Sequence, residues 1–168
     1  MEYHVFNTDK GWVAVLGSVR GLTSVTLPRS SARAALDSLG EAIEQAIPSP
    51  ERFQDLAKRL QDYFGGHKVS FPDELDLSSA TPFQRAVWQV TRQIAYGETR
   101  SYSWLAEKVG KPGAARAIGQ ALSKNPMPII VPCHRAIGSD GNLCGFSDGL
   151  EMKRSLLHLE AAATSPQR

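Results

Sequence analysis

SYSWLAEKVGKPGAARAIGQALSK, residues 101–124, holds two short amphipathic runs with a turn between them. Ser101 is placed to cap the first run, in which Leu105, Ala106 and Val109 recur on one face, and Gly110 is placed to stop it. Lys111-Pro112-Gly113 reads as a tight turn. The second run, residues 114–124, is dominated by small residues: Ala114, Ala115, Ala117, Gly119 and Ala121. Helix, glycine-containing turn and second helix form a helix-turn-helix, a unit found in DNA-binding proteins and in folds that never touch DNA. The small residues let the helix backbone come very close to something. A packed neighbouring helix and an external ligand both satisfy that pattern.

The chain continues into Pro126-Met127-Pro128-Ile129-Ile130-Val131-Pro132-Cys133-His134-Arg135. An apolar, β-prone run bracketed by prolines delivers a cysteine beside a histidine and an arginine. The thiolate is the nucleophilic form of cysteine, and a nearby base or cation favours it. Neighbouring residues on a strand face opposite ways, so His134 is expected to reach Cys133 through a turn or a bridging water. A buried structural cysteine beside a hydrogen-bonded histidine fits the same residues.

Upstream, Thr81 and Pro82 open a helix with Phe83, Val87, Val90 and Ile94 on its apolar face, closed at Tyr96-Gly97. Residues 72–80 (PDELDLSSA) are polar and irregular and read as a linker, giving an N-terminal domain over 1–78 and a C-terminal domain over 79–168. Residues 3–6, 12–18 and 22–27 are short, β-prone and separated by polar turns, which predicts an antiparallel meander. Ser30 or Ser31 caps a predicted helix carrying Ala32, Leu36, Leu39, Ile43, Ala46 and Ile47, ended by Pro48 and Pro50. A second helix carries Phe53, Leu56, Leu60, Tyr63 and Phe64 and stops at Gly65-Gly66. Val69 and Phe71 suggest one more strand, and residues 161–168 read as a frayed tail. The fold class expected is an α/β N-terminal lobe, a small antiparallel sheet with flanking helices, joined to a mainly helical C-terminal lobe.

Composition narrows the setting. The 168 residues are 42% hydrophobic and 21% charged with a net charge of +2, which permits a nucleic-acid partner without demanding one. There are only two cysteines, Cys133 and Cys144, too few for a disulfide scaffold or a paired zinc cluster. No apolar run reaches 18 residues, and residues 1–10 (MEYHVFNTDK) do not read as a signal peptide. A cytoplasmic, reduced location with no membrane partner is the expectation.

Several ordered motifs resemble the O6-alkylguanine-DNA alkyltransferase family across roughly residues 81–160. They are Gly97-Glu98-x-x-Ser101-Tyr102, Ala114-Ala115-Arg116-Ala117-Ile118-Gly119, Asn125-Pro126-x-Pro128-Ile129, Pro-Cys-His-Arg at 132–135, and Gly149-Leu150-x-x-Lys153-x-x-Leu156-Leu157-x-x-Glu160. The resemblance implies a ribonuclease-H-like first lobe and a winged-helix-like second lobe. It implies Cys133 as alkyl acceptor, His134 as its base through a water, Glu160 as the carboxylate orienting His134, and Asn125 as the residue fixing the preceding turn. Tyr102 would donate a proton or hydrogen bond to the departing guanine. Arg116 would fill the space of a base flipped out through the minor groove, with Tyr102, Ser103, Ala115, Gly119, Ser123 and Ser139 also meeting DNA. Pro128, Leu122, Ala136, Phe146 and Ser147 would line the base pocket.

The implied reaction is a single irreversible transfer from O6-alkylguanine in double-stranded DNA, with O4-alkylthymine as a second candidate substrate. No cofactor and no metal are expected, and the protein is expected to be a monomer. The chain departs from the family at Cys144 (usually glycine), Phe146 (more often tyrosine), Asp148 (usually small) and Ala136 (usually valine). Rival readings are a lesion-binding relative without transfer, which would lack the acceptor cysteine, a helix-turn-helix regulator, and, more remotely, a cysteine protease.

Overall fold

β1 (Glu2–Thr8) and β2 (Gly11–Ser18) form a hairpin in antiparallel register from Glu2 opposite Gly17 to Thr8 opposite Gly11. Gly11 is required at the turn: its φ is +134°, and a Cβ there would lie 2.6 Å from the Arg29 carbonyl oxygen. β3 (Gly21–Val25) pairs antiparallel with β2 through a bulge at Leu16/Gly17. The computed structural model describes residues 1–146 and 148–164. They fall into two units, the first made of Met1–Ser78 with Pro126–Ile130, the second of Ser79–Asn125 with the chain from Val131 onward.

In the first unit, Val13, Ala14, Val15 and Leu16 are consecutive and all at most 1% exposed, so β2 is covered on both faces. α1 (Ala32–Asp37) packs on β1 and β2, and α2 (Gln54–Phe64) packs on β1. Leu56, Leu60, Tyr63 and Phe64 supply the buried face of α2. Ser31 caps α1 by accepting from the Ala34 N–H. The long helix expected over 32–47 does not form. Gly40 takes a left-handed φ of +73°, a short 3-10 helix runs over Gly40–Gln45, and Ile47–Pro48 become β4, which pairs parallel with Glu2–Tyr3. The sheet order is therefore β3-β2-β1-β4, and the sheet is mixed rather than antiparallel. No strand forms at Val69 and Phe71. Residues expected as linker are partly fixed, since Leu75 bridges Leu22 and Ser18 Oγ donates to Asp76 at 2.5 Å.

The second unit begins with α3 (Pro82–Thr91), which carries a complete capping box between Thr81 and Gln84. The helix ends at Thr91, five residues before the expected stop at Tyr96, although Ile94 stays buried beyond it. Ser101 caps α4 (Tyr102–Lys108) by accepting from the Trp104 N–H. At its end the Gly110 N–H reaches Glu107 O and the Lys111 N–H reaches Ala106 O, a Schellman closure that needs the +78° φ of Gly110. α5 (Ala115–Ser123) follows, tied to α3 by a 2.9 Å bond from the buried Trp88 indole to Ala121 O. β5 (Arg100–Ser101) and β6 (Ala136–Ile137) form a two-stranded parallel ladder. α6 (Leu150–Thr164) extends through residues expected to fray, and residues 165–168 lie outside the described part. No helix among the described residues is long and apolar enough to cross a membrane.

Candidate active site

The apolar run before Cys133 is not a strand. Residues 126–132 turn, Ile129 holds a φ of +76°, and Cys133–Arg135 form one 3-10 turn. Prolines at 126, 128 and 132 each lack the N–H that a ladder needs, so no continuous strand forms and only isolated bridges at Pro128 and Val131 remain. On a 3-10 turn successive side chains fan apart by about 120°, so Cys133, His134 and Arg135 can reach three different places. Val131 O accepts both the Cys133 N–H at 2.7 Å and the Asn125 side-chain amide at 2.9 Å, and Asn125 also hydrogen-bonds the thiol.

His134 is fully buried, and its Nε2 lies 2.5 Å from Glu160 Oε2 on α6. Arg135 donates to the same carboxylate from Nε at 2.9 Å and Nη2 at 3.1 Å, and from Nη1 to Ile94 O at 2.7 Å. The Gly97 N–H completes the set with a 3.0 Å bond to Glu160 Oε1. Gly97 is needed there, because its φ is +81° and a Cβ would press to 2.8 Å from Thr164 Cγ2.

Charge states follow from this packing. Burial pushes the Glu160 carboxyl up, but hydrogen bonds from His134 and Arg135 and the positive charge of Arg135 outweigh it and hold the group well below the usual carboxylate range. Burial pushes the His134 imidazole down, against the pull of Glu160, leaving it neutral. Burial also pushes the Cys133 thiol up, opposed by Asn125 and by the positive charge of Lys153. The resting group is thus a thiol, a neutral imidazole and an arginine-paired carboxylate. An imidazole held by a carboxylate can take up a thiol proton and be stabilised as the cation, the arrangement that activates buried nucleophiles.

Cys133 opens onto a cavity of about 450 Å³. Its walls include Tyr102 at the start of α4, and Ala115, Arg116, Gly119, Leu122 and Ser123 of α5. Phe146, Cys144, Gly145 and Gln120 complete the lining. Burial pushes the Tyr102 phenol up to about 12, so it stays a proton donor. Arg116 is exposed at the rim. A Cβ built on Gly119 would meet nothing within 4 Å, so this glycine is not explained by packing within the chain.

Of the other expected residues, Asn125, His134 and Glu160 lie behind the thiol rather than on the cavity wall. Ala136 is fully buried in the β6 ladder opposite Arg100 and is not part of the lining. Pro128 belongs to the first unit, Ser103 and Ser139 are exposed and do not line the cavity, and Ser147 lies outside the described residues. The cation acting on the thiol is also not the one adjacent in sequence: Arg135 turns to Glu160, and Lys153 supplies the charge at Cys133. Lys153 carried one signal in the sequence, a lysine in register with Leu156 and Glu160 on the inner face of a helix.

The profile of a family described as 6-O-methylguanine DNA methyltransferase, DNA binding domain, matches residues 82–162. The chain is 36% identical over 162 residues to the methylated-DNA–protein-cysteine methyltransferase of Methanosarcina acetivorans, covering 96% of this chain and 99% of that one. It is 52% identical over 114 residues to the methylated-DNA–protein-cysteine methyltransferase of Mycobacterium leprae, 68% of each chain. Among solved structures, Mycobacterium tuberculosis OGT in complex with DNA superposes with a TM-score of 0.81 at 38% identity, covering 97% of this chain and 94% of that one.

Proposed function

The chain belongs to the methylated-DNA–protein-cysteine methyltransferase family, and from that premise we propose that it repairs DNA by moving the alkyl group of O6-alkylguanine irreversibly onto its own Cys133. The observation that carries this reading is a thiol at the floor of a cavity walled by the second helix of a helix-turn-helix, with His134 and Glu160 behind it. The Cys133 proton passes to His134 through a water. The thiolate sulfur attacks the alkyl carbon, the carbon–O6 bond breaks, and its electron pair leaves with guanine, which Tyr102 assists as a donor. A thioether does not hydrolyse, so each chain acts once. O4-alkylthymine presents the same leaving-group chemistry and is a second substrate on this reading.

DNA is the partner. Helix α5 enters the minor groove and the target base turns out into the cavity, because a thiol cannot reach the O6 substituent in a stacked duplex. The open space beside Gly119 supports a close approach by an external backbone, and the exposed Arg116 is placed to fill the vacated stack. The protein acts as a monomer, with a ribonuclease-H-like first unit and a winged-helix-like second one.

Mass spectrometry of the protein after incubation with an excess of O6-methylguanine oligonucleotide tests the reaction. One methyl group per chain, on Cys133, is the expected end point. Repeated turnover without a mass change, or methylation at Cys144, overturns the assignment. Arg116→Ala is expected to slow repair in duplex DNA far more than reaction with free O6-benzylguanine, since a free base has no stack to leave. Equal slowing on the two substrates removes the role given to Arg116.

A further inference from the structure

The chain has two cysteines, and both line the cavity in which the transfer chemistry uses only one of them. After Arg135 the backbone passes through β6 and reverses over residues 138–142. The Gly138 N–H reaches Asn142 O at 2.7 Å, and the Gly141 N–H reaches Gly138 O at 2.9 Å. This turn returns Cys144 and Phe146 to the cavity that Cys133 opens onto. Burial first, and then charge on either sulfur, push the Tyr102 phenol up, so both thiols bear on one hydroxyl. Cys144 is exposed and belongs to no helix or strand. The space beside it is open, since a Cβ built on Gly145 would meet nothing within 4 Å.

A methyl group carried to Cys133 ends the chemistry, because a plain thioether has no leaving group. An alkyl group with a halide on its second carbon behaves differently. Its transfer leaves Cys133 as a β-chloro thioether, an electrophile in a cavity whose wall carries a second thiol. We propose that Cys144 captures this adduct, so that transfer from O6-(2-chloroethyl)guanine ends in a two-carbon thioether bridge between Cys133 and Cys144. The Cys133 sulfur displaces chloride to form a three-membered sulfonium ring, and the Cys144 thiolate opens that ring at carbon. The carbon–chlorine bond breaks, chloride leaves with its electron pair, a second carbon–sulfur bond forms, and the Cys144 proton passes to solvent. Nothing is oxidised or reduced. A thiolate held in the same cavity outcompetes water by nucleophilicity and by proximity. A two-carbon link also spans a wider gap than a disulfide, which must bring its sulfurs to about 2 Å. The step presupposes Cys133 as alkyl acceptor and adds a second bond that the reacted chain makes with itself. The electrophile is then consumed inside the protein rather than on the DNA it came from.

Trypsin cuts after Lys124, Arg135 and Lys153, which puts Cys133 in residues 125–135 and Cys144 in residues 136–153. The protein is treated with duplex DNA carrying O6-(2-chloroethyl)guanine, reduced with dithiothreitol, digested and analysed by mass spectrometry. Among chains that have reacted, the two peptides are expected to be joined by a two-carbon link that resists the reductant. Cys144→Ser and Cys144→Gly should lose the joined species altogether and carry a hydroxyethyl group on Cys133 instead. Glycine suits the left-handed φ of +58° at this position, which keeps the second variant free of backbone strain. O6-ethylguanine DNA, which has no halide, should leave the peptides separate and Cys144 open to iodoacetamide.

Separate peptides with hydroxyethylated Cys133 and a free Cys144 in the unaltered protein overturn the proposal. A join that dithiothreitol cleaves does so too, as does one that survives in both Cys144 variants. Loss of the Cys144 thiol after O6-ethylguanine treatment would show that the halide is not what it displaces. Failure of O6-methylguanine DNA to label Cys133 removes the proposed function and this step with it, whereas methyl labelling without bridging sinks this step alone.

Discussion

Replacing Cys133 with alanine is expected to reduce alkyl transfer below detection while leaving binding to DNA intact. The thiol is only 6% exposed at the cavity floor, whereas the surface proposed to meet DNA is carried by α5, Arg116 and the start of α4. Losing one buried sulfur costs little stability, about 1 kcal/mol for an atom of this size, so the variant should remain folded. Cys133→Ser should be equally inactive, because a hydroxyl is a far weaker nucleophile than a thiolate. Cys144 provides an internal control. It is an exposed thiol lining the same cavity, at a left-handed φ of +58°, but without the His134–Glu160 pair behind it. Single-turnover transfer, peptide mapping and a DNA-binding titration check the prediction. Transfer that persists in Cys133→Ala and maps to Cys144 would refute it.

Glu160→Gln is expected to damage both stability and chemistry. The carboxylate is the anion for a guanidinium that is itself almost wholly buried, and it also holds His134 and the Gly97 N–H. Breaking a buried pair by removing one partner typically costs about 3–5 kcal/mol, a large share of the roughly 5–15 kcal/mol that holds a small protein folded. Transfer should fall by about a hundredfold or more, at least the lower end of what general-base assistance supplies. The pH dependence has a definite sign. The Glu160 carboxyl is held below its ordinary range in the folded protein. Its contribution is therefore complete above the ordinary carboxylate range, declines as pH falls below it, and is gone once pH passes the depressed folded value. Urea unfolding at neutral pH and in mild acid should show the unaltered protein losing its advantage over Glu160→Gln as the solution is acidified. An advantage that grows in acid would reverse the assignment. Replacing Glu160 and Arg135 together by methionine should recover much of the stability but none of the activity, which separates the two roles.

Local rules carried the parts of the fold that depend on neighbours in sequence. Ser31, Thr81 and Ser101 were readable as caps, Gly110 as a stop, and the first three strands as hairpins, because each depends on backbone groups a few residues away. The misreadings came where a local pattern competed with something distant. The apolar spacing from Ala32 to Ile47 looks helical, but Gly40 turns left-handed and residues 47–48 gain ladder bonds to β1 instead. Ile129 and Val131 are β-prone by type, yet the prolines around them deny the donors that a strand requires. Within the site, Cys133, His134 and Glu160 could be named through the ordered motifs of a known family. The pairing of Arg135 with Glu160 and the burial of Lys153 under Tyr102 could not, because each joins residues far apart in the chain and the local sequence does not encode which cation meets which acid.

The carboxylate that completes the site lies 26 residues after the histidine it holds. A ribosome that has just added Arg135 has therefore made Cys133, His134 and Arg135, but not the carboxylate that holds the last two. Nascent chains fold from the N-terminus as they emerge, and until α6 has been synthesised Cys133 is an ordinary cysteine on an unfinished polypeptide. This order of manufacture means that the His134–Glu160 pair behind Cys133 cannot form until translation has passed Glu160.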